Sequence, residues 1–212
     1  MSSSPSSAGD ALEEIFGPID IYLFDQLLRG RIRPGARILD AGCGAGRNLV
    51  YLLRSGYEVF GIDADPHAIQ EARALASQVG SQMPAANFRA ERIESASFPD
   101  HFATVVLSSA VLHFAEDDEQ FERMLEGSWR VLAPGGLFFC RLASTIGLEA
   151  RVRRIGEVGR RYRLPDGSER YLVDEALLLE HTRRLGGRLL DPLKTTLVQD
   201  QRSMTTWVMR KL

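Results

Sequence analysis

Lysine and cysteine are nearly missing from this sequence. Of the 26 basic residues among its 212, only Lys194 and Lys211 are lysines; the other 24 are arginines, a skew that fits genomic base composition and carries no functional information. The two cysteines, Cys43 and Cys140, fall at strand or strand-end positions and have no metal-ligand spacing. That pattern argues against a disulfide framework and against a zinc site, so both are expected to be reduced thiols and no metal is expected. Long apolar runs are absent too: none approaches the roughly 20 residues needed to cross a bilayer. Met1 to Ser7 has neither the basic region nor the apolar core of a signal peptide. A cytoplasmic protein with no membrane association is expected, with residues 1–16 as a disordered tail and 17–212 as a single domain. Excess charge is the last thing lacking. A net charge of −2 gives no global electrostatic case for nucleic acid or an acidic membrane. With 44% hydrophobic and 25% charged residues, the chain sits in the globular range.

What is present is organised around Ile38-Leu39-Asp40-Ala41-Gly42-Cys43-Gly44-Ala45-Gly46-Arg47-Asn48. A short apolar run, a carboxylate at its end, three glycines at alternate positions and the start of a helical pattern at Asn48 together predict strand, tight loop and helix. Such a loop lets a ligand approach the backbone closely, and the N–H groups at the helix start suit an anion. A second unit follows. Tyr57 to Asp63 is a β-rich run ending in an acid, and Asp65-Pro66 opens a helix through Ile69, Ala72 and Leu75.

Upstream, Pro18 to Leu28 predicts an amphipathic helix. Downstream, Asn87 to Ala90, Phe102 to Ser108 and Leu137 to Leu142 predict three more strands. Arg92 to Asp100 is expected to be a loop, and a helix carries Phe121, Met124, Leu125 and Trp129. From Thr145 to Leu172 the periodicity is lost in a stretch holding seven arginines. Asp174 then caps a helix through Leu185. Strands around Arg188 to Val198 and Met204 to Met209 follow, joined by too short a connection for anything but an antiparallel hairpin. Alternating strands and helices predict an α/β fold: a doubly wound, seven-stranded, mainly parallel sheet with a C-terminal antiparallel hairpin.

In such sheets ligands bind at the carboxyl ends of the strands, where the glycine loop and Asp63 both lie. A carboxylate there suits two ribose hydroxyls, which suggests an adenosine-containing ligand; the alternative is that Asp63 caps a helix, although Asp65 is better placed for that. A dinucleotide loop wants G-x-G-x-x-G, but counting from Gly42 and Gly44 the third glycine position holds Arg47. No Walker loop occurs.

From about Ile38 to the C-terminus the chain resembles the class I S-adenosylmethionine-dependent methyltransferases. Their first motif is a strand ending in an acid followed by G-x-G-x-G, matched here by Asp40 to Gly46. Gly61-Ile62-Asp63, Phe98-Pro99-Asp100 through Leu107, and Arg130 to Leu137 match further motifs in the same order. Arg47-Asn48, Tyr51 and Gly56-Tyr57 look locally like the tellurite-resistance methyltransferase subgroup.

The resemblance implies a Rossmann-like methyltransferase fold with S-adenosylmethionine as cofactor and S-adenosylhomocysteine as its product. Gly42, Cys43 and Gly44 would pass along the methionine part, with Asp40 orienting the loop and the ammonium group, and Arg47 beside them. Asp63 would hold the ribose, Ala64 would touch the adenine, and Ile93 would serve through its backbone N–H. Position 92 departs from the family, which has an acid where this chain has Arg92. Ser109 would begin the active-site face, and Tyr22 on the N-terminal helix (17–29) is a candidate to close over the cofactor. His113 is the candidate general base, because it follows the fourth strand and titrates near neutrality. Residues 145–172 stand where this family inserts its substrate lid, with Arg151 and Arg154 as candidates for an anionic substrate. The expected function is methyl transfer to a small-molecule acceptor; a non-catalytic cofactor-binding sensor is the alternative. Nucleic acid is disfavoured, because the N-P-P-Y signature is absent.

Overall fold

The computed structural model describes residues 8–80 and 82–212. One twisted sheet runs through the molecule in the order β10-β11-β5-β4-β1-β2-β3. Its parallel part comprises β1 (Arg37–Ala41), β2 (Glu58–Asp63), β3 (Phe88–Ala90), β4 (Ala103–Ser109) and β5 (Leu132–Ala143). The antiparallel part is β11 (Arg202–Lys211), with β10 (Lys194–Val198) and β9 (Gly187–Leu189) paired to its two ends.

The sequence expectation of one strand over 188–198 is corrected to two, so the sheet has seven strand positions built from eight strands. The break has a local cause. Pro192 has no N–H for the ladder, and the Asp191 carboxylate accepts from Arg31 and Gln26 instead. The final hairpin turns through Gln199 and Asp200, both at positive φ (46° and 55°), with Gln201 N–H donating to Val198 O at 2.8 Å. That is a type I′ geometry, which matches the twist of the strands it joins.

Both faces of the sheet are covered, and the strands bury alternate residues into two separate cores. Leu39, Ile62, Val106, Phe138, Cys140 and Trp207 pack on one face with α5 (Asp118–Val131) and α6 (Glu175–Arg184). Ile38, Val59, Val105, Phe139 and Val208 pack on the other with α2 (Ile21–Leu28), α3 (Val50–Arg54) and α4 (Pro66–Gln78). Burial at both parities explains why the strands read as continuous apolar runs.

Three boundaries differ from expectation. Residues 8–16, expected as tail, form α1 (Ala8–Phe16), held where Phe16 stacks on Tyr51 at 5.1 Å and meets Phe24 edge-on at 4.8 Å; residues 1–7 lie outside the described residues. The next helix starts at Ile21, not Pro18, because Asp20 is its cap and accepts from Tyr22 N–H at 2.9 Å. α3 starts at Val50, not Asn48, whose side chain is engaged elsewhere.

The stretch 145–172 contains a second sheet of β6 (Arg153–Arg154), β7 (Arg161–Arg163) and β8 (Glu169–Tyr171). Strands of two or three residues are too short to display a period of two, so the sequence pattern hides them. Leu164 and Leu172 from this small sheet bury against Ala143, with Met204 beside them. That contact seats the insertion over the carboxyl end of β5 and the amino end of β11.

Candidate functional site

A cavity of about 990 Å³ opens at the carboxyl ends of the parallel strands. The sheet order places the ends of β1, β2 and β3 on one side of it. The ends of β4, β5 and β11 and the inserted sheet lie on the other.

On the first side the lining is backbone. Gly42, Gly44 and Gly46 all have positive φ (92°, 52° and 85°), so the chain doubles back under β1 in a conformation that side-chain-bearing residues rarely adopt. Gly42 is constrained further: a Cβ there would lie 2.5 Å from Val111 Cγ2. Val111 is pressed onto the glycine by the turn at Ala110, itself at φ 63°, whose N–H donates to Arg141 O at 2.7 Å. Asp63 at the end of β2 ties the loop down, accepting from Gly44 N–H at 2.9 Å through one oxygen and from Asp65 N–H at 3.0 Å through the other. Ala64 and Ile93 line the same side. Ile93 opens a single 3₁₀ turn, Ile93–Ser95, so its N–H belongs to the donors a helix start leaves free. Arg92, where the family has an acid, donates to Glu94 at 2.9 Å, and Glu94 also accepts from Gln120 at 3.1 Å.

Beneath the loop, Asp40 is 2% exposed, and its Oδ2 is buried without a hydrogen-bond partner. Burial raises its pKa to about 7, with the Asp63 charge adding to the effect and Arg47 opposing it. A buried carboxylate oxygen without a donor costs free energy that a cationic group on a ligand would recover. Cys43 is buried beside it; its Sγ contacts Gly44 O at 3.4 Å, and burial pushes its thiol pKa up. At neutral pH Cys43 is thus a small apolar filler and not a nucleophile.

Between the two sides stands a cluster centred on Asp20, which was not among the expected site residues. Its Oδ2 accepts from Ser109 Oγ at 3.1 Å and from Arg141 Nη1 at 3.4 Å. Arg47 Nη2 donates to Ser109 Oγ at 3.1 Å and lies 4.0 Å from the same carboxylate oxygen. Asp20 N–H in turn donates to Asn48 Oδ1 at 2.9 Å. The N-terminal segment is thereby pinned to the glycine loop and to β4 and β5 through one carboxylate. The only sequence mark of this role was the N-cap preference for Asp before an amphipathic helix.

Three expected site residues are placed differently. Tyr22 does not line the cavity: its hydroxyl pairs with Thr196 Oγ1 at 2.5 Å and its ring lies 5.4 Å from the Arg141 guanidinium, so it braces Arg141 and does not cover a ligand. Arg151 and Arg154 do not line it either. Arg151 pairs with Asp200 at 3.1 Å on the exposed surface, and Arg154 donates to the Tyr162 hydroxyl at 3.2 Å. The guanidiniums that do line the second side are Arg141, Arg170 and Arg202, with Leu164, Ala143 and Met204 as apolar wall. Of the seven arginines in the insertion, Arg170 alone is among the lining residues.

His113 is there too, in the 3₁₀ turn Leu112–Phe114. Its Nδ1 accepts from Ala143 N–H at 3.1 Å, and burial, followed by the charges of Arg170, Arg141 and Arg202, lowers its pKa to about 4. A ring so held is neutral at pH 7 and carries its proton on Nε2. That state leaves Nε2–H as the ring's donor, whereas a general base would need Nε2 free.

Residues 39–140 match the model of a methyltransferase domain family. An uncharacterised methyltransferase of Synechocystis is 35% identical over 107 residues, covering 50% of this chain and 47% of that protein. A ubiquinone biosynthesis O-methyltransferase of Brucella anthropi is 30% identical over 167 residues, covering 76% and 64%. The chain spans about half the length of the curated relatives it matches. In fold it is similar to the 1,6-didemethyltoxoflavin N1-methyltransferase of Burkholderia thailandensis, solved with S-adenosylhomocysteine: TM-score 0.63, 18% identity, 100% of this chain and 93% of that one. Arg47, Asn48 and Tyr51, which carried the local likeness to the tellurite-resistance subgroup, all make structural contacts here, to Ser109, Asp20 and Phe16.

Proposed function

We propose that this chain, a class I S-adenosylmethionine-dependent methyltransferase by its domain and fold, transfers a methyl group to a small-molecule acceptor bearing an anionic group. The observation that carries the reading is the cavity itself. One side offers a glycine backbone cradle over an orphaned buried carboxylate, and the other gathers three guanidiniums against an apolar wall.

The residues fit the cofactor. Asp40 Oδ2 suits the ammonium of its methionine part, and Gly42 to Gly44 leave room for the chain to lie against backbone. Arg47 is within reach of the carboxylate, and Asp63 suits the ribose diol. Ala64 and the Ile93 N–H face the adenine region. When bound, the cofactor supplies an activated methyl group on a sulfonium. The protein's own part is then to align an acceptor and exclude water. Asp20 does the first indirectly, by fixing Arg47, Ser109 and Arg141 in one arrangement. The inserted sheet does the second, laying Leu164 and Arg170 over the cavity.

A sensor that binds the cofactor without turnover would need no open acceptor side, whereas here that side is continuous with the cradle. Incubation with methyl-labelled S-adenosylmethionine and a panel of carboxylates, acidic oxyanions and thiols tests the reading. Label transferred to at least one acceptor is expected. Cofactor binding with no transfer to any member would favour the sensor.

A further inference from the structure

We infer that the acceptor's reacting group reaches this site already ionised, as an oxyanion of the carboxylate class, with Arg170 as its counter-charge and His113 as a hydrogen-bond donor through Nε2–H. The inference rests on the methyl-transfer reading above and adds the chemical class of the acceptor.

The first support is the direction of the hydrogen bond at His113. A backbone N–H can only donate, so Nδ1, which meets Ala143 N–H at 3.1 Å, must be the acceptor nitrogen, and the remaining proton sits on Nε2. Every charged group acting on the ring is a cation: Arg170 from β8, Arg141 from β5 and Arg202 from β11. On its remaining side lies the Phe114 ring, with centroids 4.7 Å apart. Among the described residues no carboxylate acts on the ring to stabilise an imidazolium, so the ring is poorly suited to hold a proton taken from an acceptor.

The second support is the pairing of the guanidiniums. Arg202 is paired with Asp166, and Arg141 with Asp20. Arg170 donates only to a backbone carbonyl, that of Glu169, and lies over the Phe114 ring at 4.8 Å. Among the described residues it has no carboxylate partner, although it lines the cavity next to Leu164 and Ser168. An unpaired cation beside a neutral N–H donor and an apolar wall suits an anion carried on an apolar body. Of the acidic residues that line the cavity, Asp63 and Glu94 belong to the other side, and Glu116 follows the turn that carries His113. Asp63 holds the loop, Glu94 is held by Arg92 and Gln120, and Glu116 donates its N–H to the same Gln120. The His113 ring, with Nδ1 occupied by Ala143 N–H, offers a hydroxyl of ordinary acidity no proton acceptor; a carboxylate needs none.

The step balances without a base. An oxyanion lone pair forms the new O–CH₃ bond as the S–CH₃ bond breaks, and the sulfur keeps that bond's electron pair. The negative and positive charges cancel, leaving a neutral ester and a neutral thioether, with no proton released.

The test uses the full chain saturated with S-adenosylhomocysteine and titrated with benzoate or benzamide, which share shape and differ in charge. Benzoate is expected to bind at least tenfold tighter, and the advantage should fall below threefold in Arg170→Gln and recover in part in Arg170→Lys. In ¹⁵N spectra the His113 ring, assigned by its loss in His113→Gln, should be neutral and Nε2-protonated from pH 8 to pH 5. Its Nε2–H signal should shift when benzoate is added. Equal affinities, no binding of either probe, an Nδ1-protonated ring or titration near pH 6.5 would each overturn the inference while leaving the methyltransferase reading intact. Failure of the protein to bind S-adenosylhomocysteine would remove both.

Discussion

At one end of the cavity the lining is chiefly the backbone of one contiguous stretch, Gly42 to Arg47, closed by the Asp63 carboxylate, with Ala64 and Ile93 beside it. At the other it is side chains from β4, β5, β8 and β11 and from the turns beside them, residues as far apart in sequence as His113 and Met204. The first construction depends on φ values and hydrogen bonds between near neighbours across β1 and β2. The second depends on where an inserted sheet comes to rest. The two ends also differ in the proton state they impose. At the backbone end burial holds a carboxyl pKa up, at about 7 for Asp40. At the side-chain end burial and cations hold an imidazole pKa down, at about 4 for His113. One end is therefore prepared for a cation and the other for an anion.

If the backbone end is the cofactor site, substitutions there should be costly. Asp63→Ala removes hydrogen bonds to the ribose and also frees Gly44 and Asp65 N–H groups, and is expected to weaken S-adenosylhomocysteine binding by on the order of 2–4 kcal/mol. Isothermal titration reads this directly, and unchanged affinity would mean that Asp63 serves the loop alone. Next in size, Gly42→Ala forces a Cβ against Val111 at positive φ and should lower folding stability by about 2–3 kcal/mol in denaturant titration.

Asp40→Asn sharpens the contrast, because its two effects have opposite signs. A carboxyl whose folded pKa is raised destabilises the fold increasingly as pH rises from its unfolded value, near 4, through 7. The neutral side chain should therefore make the protein about 1–3 kcal/mol more stable at pH 8 and leave it little changed at pH 4. The same change should weaken cofactor binding at pH 8, since the ammonium loses its counter-charge. Smallest of all, Arg151→Gln and Arg154→Gln remove exposed contacts and should alter stability by less than about 0.5 kcal/mol. They should change benzoate affinity by less than twofold; a larger loss would bring the surface arginines back into the acceptor site.

The same contrast explains what the sequence made legible. The α/β architecture, the hairpin and the glycine loop with Asp63 were readable because each depends on residues close in sequence, whose spacing carries the geometry. Asp20 was not, since its carboxylate acts on Ser109 and Arg141, partners that only the folded sheet brings near. Arg170 could not be told from its six neighbours in the insertion, because strands of two or three residues leave no pattern to say which side faces inward. His113 lines the cavity, but its proton state was not legible, because it depends on Ala143 N–H and on three distant guanidiniums.

We propose the glycine cradle, Asp40 and Asp63 together as the site for S-adenosylmethionine and its product. Isothermal titration of the wild-type chain with S-adenosylhomocysteine tests it most directly. Saturable one-to-one binding, strongly weakened in Asp63→Ala, is the predicted result; no heat of binding at high micromolar ligand with a folded wild-type protein would contradict it.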